Sequence, residues 1–169
     1  MFKRNLYFTA LITFVFFTLT GCGKENVALN TYKDEMSSFC ADINEQNDII
    51  NAIDPTSETA TEDLLASLDV LNEEFTALAE MEVPEEFSAV ETLADEAGSY
   101  MTDAVNMYHD VFSADEFDNA SLEVANENYN RAIKRIQYIG DILVGNIPDG
   151  EDVSVSYEDV QTGNEDISE

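Results

Sequence analysis

The sequence predicts an all-α protein, an antiparallel up-down four-helix bundle over residues 27–145. Apolar residues recur every three or four positions in four long segments, which is the spacing of helices that bury one stripe of their surface. Short connections join these segments, so consecutive helices must run antiparallel as neighbours. At 169 residues, the chain has room for one domain with a hydrophobic core.

Each predicted helix is defined by its apolar stripe. The stripes run from Leu29 to Ile53, from Leu64 to Leu78, from Phe87 to Val111 and from Leu122 to Leu143. Only Gln46 interrupts the first stripe. Further apolar residues widen the stripes, namely Leu65, Leu93, Tyr100, Ile133 and Ile142. This width favours a bundle core over the narrow seam of a two-stranded coiled coil.

Capping residues mark the ends of the helices. The second helix begins either at Asp54-Pro55, a cap with a first-turn proline, or at the capping box Thr59-x-x-Glu62. Pro84 and the acidic pair after it begin the third helix, where the helix dipole favours carboxylates. The remaining predicted boundaries are Ser113 or Asp118 before the fourth helix, and Gly145 with Pro148 after it.

The chain is strongly acidic, with 36 acidic and seven basic residues and a net charge of −29. This balance excludes a basic patch that would hold nucleic acid. It also disfavours electrostatic attachment to anionic lipid head groups. Because 44% of the residues are hydrophobic, the acidic chain is expected to fold rather than to be disordered.

The N-terminal segment has the organisation of a secretory signal peptide. Lys3 and Arg4 precede an almost wholly apolar run over residues 5–18, and the run ends at Leu19-Thr20-Gly21-Cys22. The run is shorter than the roughly 20 residues that span a bilayer. We therefore expect a signal peptide that is removed; an uncleaved membrane anchor is the alternative.

The tetrad Leu19-Thr20-Gly21-Cys22 resembles the lipobox of bacterial lipoproteins at all four positions. The resemblance implies that the thiol of Cys22 receives a diacylglycerol, with acyl chains such as palmitate, and that cleavage falls between Gly21 and Cys22. Two acyl chains anchor a protein stably to a membrane. We therefore expect a lipoprotein held through diacylglyceryl-Cys22 on the extracytoplasmic face of the cell membrane.

The lipobox sets the expected organisation of the chain. Residues 1–21 form the signal peptide, 22–26 the lipidated cysteine with a short tether, and 27–145 the bundle. Residues 146–169 carry eight acidic residues, no basic residue and no helical period, so we expect a disordered acidic tail. The alternative is a strand, around Val153 to Tyr157, that docks on a partner.

The sequence offers few residues for catalysis or metal binding. Di-iron bundles need two Glu-x-x-His pairs, whereas this chain has a single histidine, His109. A Cys-x-x-Cys-His haem motif is absent, and one histidine supports no serine triad. We expect Cys40 to be a buried apolar residue rather than a nucleophile, and His109 a surface residue rather than a ligand. No enzymatic activity, metal or cofactor is predicted.

Two groups of charged residues stand out. Arg131, Lys134 and Arg135 share one face of the fourth predicted helix. We expect them to pair internally, for example with Glu127; a contact point for an acidic partner is the alternative. Four carboxylates crowd the connection before the third helix, at Glu80, Glu82, Glu85 and Glu86. We expect this cluster to be solvated and to repel an anionic surface, with divalent-cation binding as the alternative.

These observations predict a non-enzymatic lipoprotein that engages an envelope protein or a cell-wall component. The alternative is a lipoprotein that binds a small ligand or a divalent cation. Alanines on the third and fourth helices would then leave a cavity between them, although close helix packing explains the same residues: Ala94, Ala97, Ala104, Ala125 and Ala132.

Overall fold

The computed structural model describes residues 27–146, which form four helices. These are α1 (Val27–Ala52), α2 (Ala60–Ala79), α3 (Ser88–Ser113) and α4 (Asn119–Leu143), with a single 3-10 turn, Glu85–Phe87, before α3. This confirms the predicted four-helix bundle, and no strand occurs among these residues. The predicted signal peptide, Cys22, the tether and the tail from residue 147 onward lie outside the described residues.

Side-chain contacts join the helices into a closed ring. Between α1 and α2, the ring of Phe39 packs edge-on against that of Phe75, with centroids 5.5 Å apart. Between α3 and α2, Thr102 Oγ1 donates a 2.8 Å hydrogen bond to Asn72 Oδ1. Between α4 and α1, the Tyr129 hydroxyl donates a 3.0 Å hydrogen bond to Asn47 Oδ1. The core lies inside this ring, and every predicted stripe contributes buried residues to it.

The closest packing is between α3 and α4. Both helices bury small residues, each at most 2% exposed: Ala94, Ala97 and Ala104 on α3, Ala125 and Ala132 on α4. Short side chains let two helix backbones approach each other. The alanines are therefore fully buried in helix packing.

The start of α4 is capped by Asp118. Its Oδ1 accepts a 2.9 Å hydrogen bond from the amide of Ala120, and its Oδ2 accepts a 2.7 Å bond from the hydroxyl of Ser121. Of the two predicted caps, Asp118 is therefore the correct one. Ser113 is instead the last residue of α3.

The end of α4 has the geometry of a Schellman motif. Gly145 adopts a φ of 81°, which favours glycine. Its amide donates to the carbonyl of Ile142 at 2.9 Å, and the amide of Asn146 donates to Asp141 at 2.8 Å. The prediction that Gly145 terminates the fourth helix is confirmed.

The prediction that Asp54-Pro55 begins the second helix is wrong. Asp54 Oδ1 accepts hydrogen bonds from both the amide (2.9 Å) and the hydroxyl (2.7 Å) of Thr56, so Asp54 closes a local turn in the connection. The helix starts at Ala60, with Thr59 as the N-cap residue. The capping box does not form, because the Thr59 hydroxyl bonds Asp63 Oδ2 at 2.9 Å instead of a backbone amide.

The third predicted helix begins as a 3-10 turn. Pro84 precedes this turn, and its carbonyl accepts a 2.8 Å hydrogen bond from the amide of Phe87. The α-helical geometry starts at Ser88. The proline therefore marks the start of the helical segment, with one tighter turn placed before α3.

Gly98 allows α2 and α3 to approach each other. A Cβ atom at this position would lie 3.2 Å from the carbonyl oxygen of Phe75 and 3.3 Å from the Cβ of Ala79. The first neighbour is a backbone atom of α2, which cannot rotate away as a side chain does. Only glycine fits this contact without a shift of the helices.

We predict that Gly98→Val lowers the free energy of unfolding by about 1–3 kcal/mol, because the added carbons overpack the contact with α2. Valine has a higher helix propensity than glycine, so a loss of stability in this variant would come from the packing contact with α2. Ser99→Val is the matched control, since Ser99 is exposed on the same helix. Urea denaturation followed by circular dichroism measures both, and equal stabilities would contradict the prediction.

Candidate functional site

The basic residues of α4 form a cluster with aromatic rings. Arg131, Lys134 and Arg135 lie beside Tyr100 of α3 and Tyr138 of α4, and we call these five residues the basic-aromatic cluster. Within residues 27–146, Lys33 is the one lysine or arginine outside the cluster. Because each of the three basic residues contacts the ring of Tyr100, that of Tyr138 or both, the prediction that they share one face of the helix is confirmed.

Arg135 is the buried member of the cluster. It is 2% exposed, and its Nε donates a 2.5 Å hydrogen bond to Oε2 of Glu96, which is half-buried on α3. Its guanidinium carbon lies 5.4 Å from the centroid of the Tyr100 ring and 5.9 Å from that of Tyr138. A carboxylate and two ring faces thus compensate the charge that burial removes from water.

The other two basic residues lie at the surface. Arg131 Nη2 donates to Oε1 of Glu127 at 2.6 Å, which confirms the predicted pairing one turn apart. Its guanidinium also lies over the Tyr100 ring at 5.6 Å, while Lys134 Nζ lies 5.4 Å from the Tyr138 centroid. The basic face is engaged by groups of the bundle itself, as expected for internal pairing.

The pair between Arg135 and Glu96 was not anticipated from the sequence. The two residues are 39 positions apart and lie on different helices, so no spacing rule within one helix connects them. Predicting the pair requires the register in which α3 and α4 lie side by side. The contacts of Tyr100 on α3 with Arg131 and Arg135 on α4 define that register in the structure.

Cys40 is a buried free thiol, as predicted. It is 6% exposed, and burial raises its pKa to about 11, so the thiol stays protonated and unreactive at neutral pH. It borders a gap of about 10 Å³ between α1 and α4, which is lined by Phe39, Cys40, Ile43, Asn44, Ile133 and Ile136. This gap has room for about one water molecule. It lies at a different interface from the alanines of α3 and α4.

Tyrosine hydroxyls bond asparagine side chains inside the bundle. The Tyr108 hydroxyl donates to Asn126 Oδ1 at 2.8 Å, and Tyr129 makes the bond to Asn47 described above. Burial raises the pKa of Tyr129 to about 12 and that of Tyr108 further, so both remain neutral donors. These bonds satisfy the polar ends of two large core residues.

Two buried polar atoms of α1 have no hydrogen-bond partner among residues 27–146. They are the Tyr32 hydroxyl and Asn47 Nδ2. Tyr32 is 1% exposed, and burial raises the pKa of its hydroxyl well above the usual range. Unsatisfied buried groups weaken a packing interface. Both atoms belong to the helix that begins nearest to Cys22 in the chain.

His109 and three of the four carboxylates of the predicted cluster lie at the surface; the side chain of Glu86 lies outside what the structure describes. His109 Nε2 is 2.7 Å from Asp69 Oδ1 on α2, and the imidazole is 41% exposed, as predicted for a surface residue. Glu80, Glu82 and Glu85 are exposed around the connection between α2 and α3. Within residues 27–146, no group of three or more histidine, cysteine, aspartate or glutamate side chains is arranged to hold a metal ion.

A group of aromatic rings marks the connection between α3 and α4. The Phe112 ring stacks on Tyr108, with centroids 6.5 Å apart, and contacts Phe117 at 6.0 Å. Phe117 is 48% exposed, although it is a large apolar residue. Phe117 belongs to no helical stripe, so helical periodicity does not reveal it. An isolated phenylalanine among acidic residues is the signal that would have found it.

Comparison with protein-family models, with curated proteins and with solved structures finds no match to this chain. Among the helices of residues 27–146, none combines the length and the apolar composition needed to cross a bilayer.

We predict that Glu96→Gln lowers the free energy of unfolding by about 2 kcal/mol, because it removes the carboxylate that faces a buried guanidinium. Glu127→Gln is the matched control, since it removes the same group from the exposed partner of Arg131. It should cost less than about 0.5 kcal/mol. Thermal and urea unfolding measure both variants, and similar losses would show that Arg135 does not depend on Glu96.

Proposed function

We propose that this chain is a bacterial lipoprotein, anchored through diacylglyceryl-Cys22 to the extracytoplasmic face of the cell membrane. Its bundle is a non-enzymatic module that engages another protein of the envelope. The observation that carries the proposal is the complete lipobox tetrad Leu19-Thr20-Gly21-Cys22, placed a few residues before the first helix. The apolar run before it supports the assignment as a signal peptide.

The spacing between the tetrad and the bundle supports the proposal. Because α1 begins at Val27, only Gly23 to Asn26 separate Cys22 from the first helix. Four extended residues reach at most about 14 Å. An anchor on Cys22 would therefore hold the bundle next to the membrane. The exposed carboxylates Glu80, Glu82 and Glu85 would then face the lipid head groups, in keeping with attachment by acyl chains rather than by charge.

The state of the reactive residue types supports an interaction role rather than catalysis. The Cys40 thiol is buried and protonated, which removes its nucleophilic form. His109 is paired with Asp69 at the surface, and Arg135 is paired with Glu96 in the interior. His109 and Arg135 are thus each engaged with a carboxylate of the bundle, and the thiol of Cys40 is buried.

Metabolic labelling with an alkynyl palmitate analogue tests the anchor. We expect the full chain, produced in a bacterium, to take up label and to enter the membrane fraction. Cys22→Ala should lose the label and retain the signal peptide, which a larger mass reveals. Cys40→Ala is the matched control, because it removes the other cysteine and should leave labelling unchanged. An unlabelled wild-type chain, or label that survives in Cys22→Ala, would refute the lipid anchor.

A further inference from the structure

We propose that the aromatic end, defined as Phe112, Phe117 and residues 114–118, is a docking site for a basic segment of another protein. That segment carries an apolar or aromatic side chain between lysine and arginine residues. The inference deepens the proposed interaction role by naming its surface and the chemistry of its partner. It rests on that role and does not require lipidation.

The topology sets the position of the aromatic end. Helix α1 runs away from the tether, from Val27 to Ala52, and the up-down order makes α3 run in the same direction. Ser113 and the connection to α4 therefore lie at the end of the bundle opposite Val27. A helix of 26 residues, such as α3, is about 39 Å long. If the chain is anchored through Cys22, this end lies furthest from the membrane; the surface itself is present with or without the anchor.

The apolar part of the site is exposed yet held in place. Phe117 is 48% exposed at the end of the connection. The Phe117 ring rests on Phe112, which is itself stacked on the buried Tyr108. A ring supported in this way loses little conformational freedom on binding, and aromatic residues often dominate the energy of interfaces.

The charge around the rings selects a basic partner. Asp110, Asp115, Glu116 and Asp118 surround the connection in sequence. The segments that form this end of the bundle, residues 45–62 and 105–128, contain no lysine or arginine. The basic-aromatic cluster lies further along α4, where its charges are engaged internally. An arginine of the partner would gain both a carboxylate and the face of Phe117.

Binding of a defined peptide tests the inference. The probe is a short fluorescent peptide with one central tryptophan between lysines and arginines; the same peptide with glutamates in place of the basic residues is its control. The full chain is used in zwitterionic nanodiscs, with empty nanodiscs as the blank. We expect saturable binding of the basic peptide only, weakened by salt. Amide shifts should map to residues 108–124.

Two matched pairs of variants locate the site. Phe117→Ser should weaken binding at least about tenfold, as expected for a central aromatic contact. Val70→Ser is its control, because Val70 is 36% exposed on α2. The double variant Asp115→Asn, Glu116→Gln should also weaken binding, whereas Glu91→Gln, Asp95→Asn, exposed on α3, should not. Circular dichroism verifies that each variant is folded.

The inference is overturned if the basic peptide does not bind, if the acidic peptide binds equally, or if the shifts fall elsewhere. It is also overturned if Phe117→Ser binds as tightly as Val70→Ser. Palmitate labelling of Cys22 is measured on the same preparation. Loss of peptide binding with intact labelling would reject the docking site alone, and binding without labelling would reject the lipid anchor alone.

Discussion

The close packing of α3 against α4 is the constraint on which the rest of this bundle depends. Both helices bury alanines in the core, and Arg135 of α4 is buried beside Tyr100 of α3. The guanidinium then needs the Glu96 carboxylate and the two tyrosine rings, which fixes how the helices are aligned. Helix α2 joins this pair through the space that Gly98 leaves, and its packing on α3 is also close.

Helix α1 is held differently from the other three. It packs on α2 through the Phe39 and Phe75 rings, but its backbone approaches α4 less closely, and the small gap beside Cys40 lies between them. The unpaired polar atoms of Tyr32 and Asn47 both belong to α1. The helix nearest to the proposed anchor thus packs at longer backbone distances than the other three, through large side chains such as Tyr32 and Met36.

The sequence predicts those features that depend on local spacing. The four stripes, the Asp118 cap and the Gly145 terminator follow from helix periodicity and capping chemistry, and the structure confirms each. The sequence leaves the start of α2 open between Asp54-Pro55 and Thr59, because an aspartate that can cap a helix can equally close a turn, as Asp54 does. The Arg135–Glu96 pair depends on the register between two helices, which one sequence does not reveal. Phe117 lies outside the helical stripes, and only its position as an isolated phenylalanine among acidic residues marks it in the sequence.

The central claim is that Cys22 holds the bundle beside the membrane with the aromatic end directed away from it. Depth measurement on the lipidated chain tests this most directly, with fluorophores on single cysteines in a Cys40→Ala background and quenchers on the lipid head groups. Asn146→Cys and Glu58→Cys report the two ends, since both positions are exposed. We expect strong quenching at 146 and almost none at 58, which lies about one helix length, roughly 39 Å, further out. Equal quenching at the two positions would contradict the account.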